Sequence, residues 1–229
     1  EGVLTPKEQI PGETYKVGES IKVYVLDVRR GLKGLQVTVS RSHPQLIKRL
    51  FELESPEIQS GIVRIVSIAR EPGSRAKIAV TSEDPAVDPL GACVGAKGAR
   101  VSQIVSELND EKIDVIKSSP DPAEYIANAL SPARVIMVNA NEQEKVARVV
   151  VPDNQLSLAI GKEGQNARLT ARLTGWKIDI KCQSQLEEQF DAQAFELPEE
   201  NGYNEQFEIP DMQERAEEAA DAQPDPAEI

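Results

Sequence analysis

The apolar and polar positions near the start of the chain alternate as they do in half-buried strands. Leu35, Val37 and Val39 alternate with polar side chains across residues 35–40, which is the signature of a strand with one buried face. Residues 21–28 form a second strand pattern, and a turn with two glycines separates the two. Because two or three strands cannot bury a core alone, we expect them to be the closing part of a small β-barrel.

The spacing of the apolar residues then becomes helical. After Pro44, four apolar side chains recur at the period of one helix face. They are Leu46, Ile47, Leu50 and Leu53. Ser55 and Pro56 restart the helix as N-cap and first helical residue. The predicted elements that follow are strands over 62–70 and 77–81, helices over 90–94 and 99–108, and a strand over 112–117.

The same order of elements returns after a short linker at Pro120 to Pro122. Asp121 is placed to cap a helix over 123–130. The remaining predicted elements are strands over 133–140 and 145–151, helices over 152–160 and 165–174, and a strand over 176–181. A linker this short should hold the two units in nearly fixed relation, so that both act on one continuous partner.

A short segment that occurs twice marks the same place in both units. Residues 94–98 read Val-Gly-Ala-Lys-Gly, and residues 160–164 read Ile-Gly-Lys-Glu-Gly. Each is followed by a helix pattern and then by nearly the same strand, Lys-Ile-Asp-Val at 112–115 and Lys-Ile-Asp-Ile at 177–180. A repeat of this length is a duplicated domain rather than a unit of a solenoid.

The repeated loop carries the chemistry, because Gly-x-x-Gly between two helices is the hallmark of the KH module, which clamps about four nucleotides of a single strand. Glycine lets the backbone approach a phosphate closely. The following helix presents unpaired N–H groups and the positive end of its dipole, and Lys97 and Lys162 add formal charge. The predicted RNA-binding residues are Gly95, Ala96, Lys97, Gly98, Arg100, Gly161, Lys162, Glu163, Gly164, Gln165, Asn166 and Arg168.

Several of these residues have a second interpretation. A plain helix–helix turn would explain one Gly-x-x-Gly copy, although two copies in the same context favour the KH module. Arg100 and Arg168 either reach phosphates or brace the fold. Gln165 and Asn166 either offer amide hydrogen bonds to base or sugar edges or, for Asn166, only cap the helix. Glu163 weakens the electrostatics of the second loop.

The net charge of −12 is unexpected for an RNA-binding protein until its distribution is considered. Residues 183–229 hold 15 acidic residues and one basic residue, whereas residues 1–182 hold 23 acidic and 25 basic ones. The acidity therefore belongs to a tail whose composition predicts disorder. The rest of the chain is near neutral, so the placement of its positive charges matters more than their number.

Other kinds of site are not supported by the sequence. Cys93 and Cys182 belong to no C-x-x-C pair, which predicts a reduced, cytoplasmic protein without a metal site. The single histidine, His43, lies beside a proline, where it marks a helix entry rather than a catalytic set. No stretch approaches the roughly 20 apolar residues of a membrane span. We therefore predict a non-enzymatic protein with no catalytic residues, no cofactor and no membrane association.

These segments are similar to those of a known family. Val94–Arg100 and, above all, Ala159–Asp179 resemble the tandem KH domains of the NusA family of bacterial transcription factors. Residues 17–42 resemble the closing strands of the S1 domain that precedes the KH domains in that family, and residues 8–13 also fit. The resemblance covers about residues 1–182 and implies nothing for the tail.

The resemblance implies an α+β fold, in which two tandem type II KH domains follow the C-terminal part of an S1 (OB-type) β-barrel and precede an acidic, disordered tail. The domain bounds are then 1–42 for the partial S1 domain, 43–119 and 120–182 for the KH domains, and 183–229 for the tail. The implied function is regulation of transcription elongation, pausing, termination and antitermination. The implied partners are single-stranded nascent RNA, RNA polymerase and other Nus factors.

Two other functions compete with this one. The chain could be the RNA-guiding module of an RNA-processing enzyme such as polyribonucleotide phosphorylase, which also carries KH and S1 domains. In that enzyme S1 usually follows a single KH domain, whereas here the S1-like strands come first. A ribosome-associated protein is the third hypothesis, and the acidic tail disfavours burial in ribosomal RNA.

Overall fold

The computed structural model describes residues 1–31 and 34–186. The predicted disorder of the tail falls, apart from residues 183–186, outside these ranges. Three sheets of three strands each follow one another along the described chain. Among the residues described, the first sheet has no helices of its own beyond a single 3₁₀ turn, and helices cover the other two to make two α/β units of the same design.

The first sheet has the strand order β1-β3-β2. Its strands are β1 (Gly2–Leu4), β2 (Tyr24–Gly31) and β3 (Gly34–Ser40). β3 pairs antiparallel with β2 and parallel with β1. The expected barrel fragment is therefore an open sheet, and the described residues close no barrel, because each outer strand has only one neighbour. Leu35, predicted on the buried face, is 67% exposed on this open sheet.

The first α/β unit runs from Pro44 to Lys117. Its elements are α1 (Pro44–Glu54), α2 (Pro56–Gln59), β4 (Val63–Glu71), β5 (Arg75–Ser82), α3 (Pro89–Val94), α4 (Ala99–Glu107) and β6 (Lys112–Lys117). The central strand β5 is antiparallel to β4 and parallel to β6. This is the predicted order of elements, with bounds that differ by at most two residues at each end.

The second α/β unit runs from Pro122 to Cys182. Its elements are α5 (Pro122–Ala129), β7 (Met137–Asn141), β8 (Val146–Val151), α6 (Leu156–Ile160), α7 (Gln165–Thr174) and β9 (Lys177–Cys182). Its sheet repeats the pattern of the first, with β8 antiparallel to β7 and parallel to β9. The strand predicted from residue 133 begins only at Met137, because a turn at 131–133 and irregular backbone occupy the preceding positions.

Each unit packs its helices on one face of its sheet. In α1 the buried side chains are Leu46, Ile47, Leu50 and Phe51. Phe51 takes the core position that periodicity assigned to Leu53, which is 68% exposed in the last turn of the helix. His43 marks the helix entry as predicted, since its Nδ1 accepts a hydrogen bond of 3.1 Å from the Gln45 backbone nitrogen.

Arg41 joins the first sheet to the first unit. Its side chain is 1% exposed and is paired with the Glu13 carboxylate. It also donates to the backbone carbonyls of Lys22, at 2.6 Å, and Glu107, at 2.7 Å. Ile10, 2% exposed, packs into the core of the first unit. A buried charge is tolerated here because every face of the guanidinium has an acceptor.

Candidate nucleic-acid interface

The two Gly-x-x-Gly loops have nearly identical backbones. The first glycines, Gly95 and Gly161, have φ/ψ of 75°/175° and 76°/173°. The third residues, Lys97 and Glu163, have φ/ψ of 52°/28° and 53°/27°. The two loop lysines are therefore not equivalent, because Lys162 holds the second position of its loop. Each loop presents one exposed lysine, at a different point along the same curve.

Close packing behind the loop requires its first glycine. A Cβ atom at Gly95 would lie 2.7 Å from Arg100 Cγ, and one at Gly161 would lie 2.8 Å from the Asn166 backbone nitrogen. Gly164 meets no atom within 4 Å but has a left-handed φ of 73°. The first glycine is thus required because another part of the chain approaches it closely, and the second because of its left-handed backbone conformation.

Arg100 braces the first unit from behind its loop. Its Nη1 donates to the Ala92 backbone carbonyl at 2.7 Å and to the Glu57 carboxylate at 2.9 Å. These bonds connect α4 to α3 and α2. Of the two interpretations that the sequence allows, the contacts of Arg100 are those of a brace, which leaves the loop backbone and Lys97 as the exposed groups.

Asn166 has the equivalent place in the second unit and is 5% exposed. Its amide nitrogen donates to the carbonyls of Leu130, Leu158 and Ala159 at 3.0, 3.1 and 3.1 Å. The N-cap of α7 is Gly164, so the helix-cap interpretation of Asn166 is wrong. Its N–H groups are already satisfied by backbone acceptors, whereas its buried Oδ1 has no hydrogen-bond partner among the described residues. Asn166 instead ties α5, α6 and α7 together.

Gln165 and Arg168 turn toward the first unit. Gln165 Nε2 donates to the Glu71 carboxylate at 2.9 Å and to Ser74 Oγ at 2.7 Å. Arg168 Nε donates to Glu71 at 2.6 Å. The Arg168 hydrogen bond lowers the pKa of the Glu71 carboxyl against the opposing effect of burial. The hairpin between β4 and β5 therefore holds the start of the helix that follows the second loop.

A buried apolar cluster joins the two units beneath these polar contacts. Its fully buried members are Ala69, Ala79 and Ile116 of the first unit with Ala129, Leu169 and Leu173 of the second. Ser67 Oγ donates to the Leu173 carbonyl at 2.9 Å. Lys77, with no exposed surface, donates to the Ser131 carbonyl at 2.8 Å, and burial lowers its pKa although Asp114 opposes the effect. The loops are thus held in fixed relation by packing as well as by the short linker.

Each loop presents a positive charge to solvent without a compensating carboxylate. Within residues 1–31 and 34–186, neither Lys97 nor Lys162 has a carboxylate within 4.0 Å. Each loop also leads directly into a helix, α4 or α7, whose first N–H groups and dipole favour an anion. Each loop can therefore hold a phosphate anion.

No group of three or more His, Cys, Asp and Glu side chains in the described ranges is placed to hold a metal ion. None of the helices described is both long and apolar enough to cross a membrane.

The chain is similar to known transcription proteins. Residues 41–118 match the description "NusA-like first KH domain", and residues 122–188 match "NusA-like second KH domain". The protein named "Transcription termination/antitermination protein NusA" of Halalkalibacterium halodurans is 58% identical over 188 residues, which are 82% of this chain and 49% of that protein.

Two further relatives carry the same printed name. That of Bacillus subtilis is 57% identical over 188 residues, covering 82% of this chain and 51% of the relative. That of Thermus thermophilus is 50% identical over 181 residues, covering 79% and 47%. The chain thus spans about half the length of the curated relatives it matches.

Proposed function

Because the chain belongs to the NusA family, we propose that it binds single-stranded RNA through its two Gly-x-x-Gly loops and regulates transcription elongation, pausing, termination and antitermination. It does so as a binding protein, without catalysis or a cofactor. The relatives are named for transcription, so we do not propose the alternative of a module in an RNA-processing enzyme. The open first sheet is, on this proposal, the closing part of an S1 domain.

The observation that carries the proposal is the near-identity of the two loops. Equal backbone angles in two units with the same sheet order mean that both loops present the same backbone groups to solvent. The direct contacts are the loop residues 95–98 and 161–164. Arg100, Gln165, Asn166 and Arg168 act behind them as positioning residues, because each is engaged with the protein.

The partners of the whole protein follow from the family. We propose nascent RNA, RNA polymerase and other Nus factors as partners, in the cytoplasm of a bacterium. The proposed domain bounds remain 1–42, 43–119, 120–182 and 183–229. The fixed relation of the two KH units supports their use as one continuous RNA surface, because two rigidly joined clamps gain from effective concentration without any new contact.

Exchange of the loop side chains for acidic ones tests the proposal. Two double variants are made in the full chain, Ala96→Asp with Lys97→Asp, and Lys162→Asp with Glu163→Asp. Both are expected to weaken binding of a single-stranded RNA that spans both loops, because they place negative charge against phosphate. Each lost phosphate contact should also reduce the slope of log K against log salt by about 0.7.

The matched control is Lys117→Asp, an exposed lysine on β6 outside both loops. Fluorescence anisotropy at several salt concentrations measures affinity and slope, and circular dichroism shows that the variants fold. If both loop variants bind RNA as the Lys117 variant does, these loops are not the RNA-binding site.

A further inference from the structure

A pocket lies where the second loop meets the first unit. Its volume is about 390 Å³. From the first unit it is lined by Ser74, Arg75 and Lys112, and from the second by Ser157, Gly161 and Lys162, among others. The hairpin and the closing strand of the first unit form one wall of this pocket.

The charges at the pocket are unbalanced. Three cationic side chains line it, and no acidic side chain does. The guanidinium of Arg75 is already bonded to Asp114, with Nε at 2.7 Å and Nη2 at 2.9 Å from its carboxylate oxygens. Neither Lys112 nor Lys162 has a carboxylate within ion-pairing distance among the described residues. The pocket therefore offers two uncompensated ammonium groups, one from each unit.

The remaining walls are both polar and apolar. Ser74 Oγ accepts a hydrogen bond from Gln165, so its own O–H is free to donate. Leu158, 43% exposed, adds an apolar surface on the side of the second unit. A simple inorganic anion would make no use of an apolar wall, whereas a nucleotide would place its phosphate by the lysines and its sugar or base against the leucine.

We propose that this pocket holds the phosphodiester and sugar of the RNA nucleotide that passes between the two loops, with Lys112 as its ligand from the first unit. This inference rests on the proposed function and extends it, because it assigns RNA contact to a residue outside both Gly-x-x-Gly loops. The pocket would connect the RNA-binding surfaces of the two units, since Lys162 belongs to the second loop and Lys112 to the first unit.

The internal repeat supplies a matched control. Lys112 and Lys177 are the first residues of the closing strands β6 and β9, and both are exposed. Their strands pair in the same way with β5 and β8, at Arg75 and Val146 respectively. Only Lys112 lines the pocket, because a second unit follows the first, whereas the chain beyond Lys177 provides no third unit within the described residues.

The test compares Lys112→Ala with Lys177→Ala in the full chain, using a single-stranded RNA of about ten nucleotides, enough for two clamps of about four nucleotides and a connection. Loss of one phosphate contact lowers the salt slope by about 0.7, so affinity for Lys112→Ala should fall about fivefold at 0.1 M salt, with little effect near 1 M. Lys177→Ala should bind as the parent does. Lys112→Gln, which removes the charge but keeps a polar side chain, should show the same loss.

RNAs with a single uncharged methylphosphonate linkage at each position locate the contact. One linkage between the two clamped segments should weaken binding to the parent more than binding to Lys112→Ala, because the variant has already lost the Lys112 contact and loses only that of Lys162. Equal losses for parent and variant at every position would overturn the proposal, as would equal affinities of Lys112→Ala and Lys177→Ala. If the loop variants of the preceding section also leave affinity unchanged, the proposed function fails with it; if they weaken binding, only the pocket assignment fails.

Discussion

Arg100 and Asn166 hold the same position in the two units, and each donates a hydrogen bond to the backbone carbonyl eight residues before it, at Ala92 and Leu158 respectively. Each follows the first glycine of its loop by five residues, and each is the nearest obstacle to a Cβ atom on that glycine. Two chemically different side chains thus perform one task. They tie the helix after the loop to the helix before it and so fix the curve of the loop.

Removal of these ties should destabilise the two units to different extents. Asn166→Ala removes the amide donor from the carbonyls of Leu130, Leu158 and Ala159, of which that of Leu130 keeps a hydrogen bond from the Ala133 N–H. The loss should lower the free energy of unfolding by about 1–3 kcal/mol. Arg100→Ala affects a side chain that is 30% exposed, where water can replace the lost bonds, so the loss should be smaller. Urea unfolding of both variants measures the difference. A larger loss for Arg100→Ala would contradict this account.

Substitution of asparagine for the two glycines of the second loop should separate their roles. Gly161, at φ/ψ of 76°/173°, lies in a region that is essentially restricted to glycine, where strain amounts to about 1–3 kcal/mol. Gly164 is left-handed, at 73°/14°, a conformation that asparagine tolerates. Gly161→Asn should therefore lower thermal stability clearly and Gly164→Asn only slightly. Similar melting temperatures for the two variants would show that neither the backbone conformation of Gly161 nor its close approach to Asn166 requires glycine.

Local signals in the sequence were sufficient for much of the fold. The helix over Gln165–Thr174 and the strand over Lys112–Lys117 were predicted with their observed bounds. A glycine borders the helix at each end and turn residues precede the strand, so the limits are encoded locally. The start of β7 is predicted four residues too early. Residues 133–136 have a strand-like composition, but in the structure they belong to the end of a turn and to irregular backbone.

The roles of Gln165 and Arg168 depend on a partner that local patterns cannot reveal. Both bind Glu71, which is more than ninety residues earlier in the chain. A cation and an amide beside a Gly-x-x-Gly loop look the same in sequence whether they face RNA or a neighbouring domain. Lys112 was missed as a site residue for the same reason, although its recurrence at Lys177 was visible as part of the repeated strand.

Lengthening of the linker alone should have little effect on RNA affinity. From the sequence alone, a ten-residue Gly/Ser insertion after Pro120 is expected to reduce RNA affinity, because it lowers the effective concentration of one KH unit near the other. The buried cluster and the Ser67 to Leu173 hydrogen bond hold the units together independently of the linker. We therefore expect affinity for a spanning RNA to stay within about twofold of the parent.

Combination of that insertion with a charge in the cluster should reveal the contribution of the interface. Ala69 is 3% exposed in the cluster between the units, so Ala69→Asp should undock them, because an unpaired buried charge is strongly unfavourable. The insertion with Ala69→Asp should then bind a spanning RNA much more weakly than either change alone. Nuclear magnetic resonance spectra confirm that each unit stays folded. Additive effects of the two changes would contradict a shared docking role.

The contact between Glu71 and the second unit should depend on pH. The Arg168 hydrogen bond, with smaller contributions from Gln165 and Arg172, holds the pKa of Glu71 below its ordinary value of 4.5. A carboxyl whose pKa is depressed on folding stabilises the folded state above its unfolded pKa. That stabilisation decreases as the pH falls through the depressed value, where the folded protein also takes up the proton. The pair therefore stabilises the interface fully at pH 6 to 7.

Comparison of the parent with Glu71→Gln measures this contribution. The variant keeps an oxygen acceptor and lacks the charge, so its melting temperature should be lower than that of the parent at neutral pH. The difference should shrink below about pH 4.5 and vanish once Glu71 is protonated in the parent. Calorimetry from pH 3 to 7 records both curves. Arg49→Gln is the control, because Arg49 pairs with Glu52 on the surface of α1, away from the interface. A difference between parent and Glu71→Gln that stays constant over this range would show that the charge of Glu71 does not stabilise the junction.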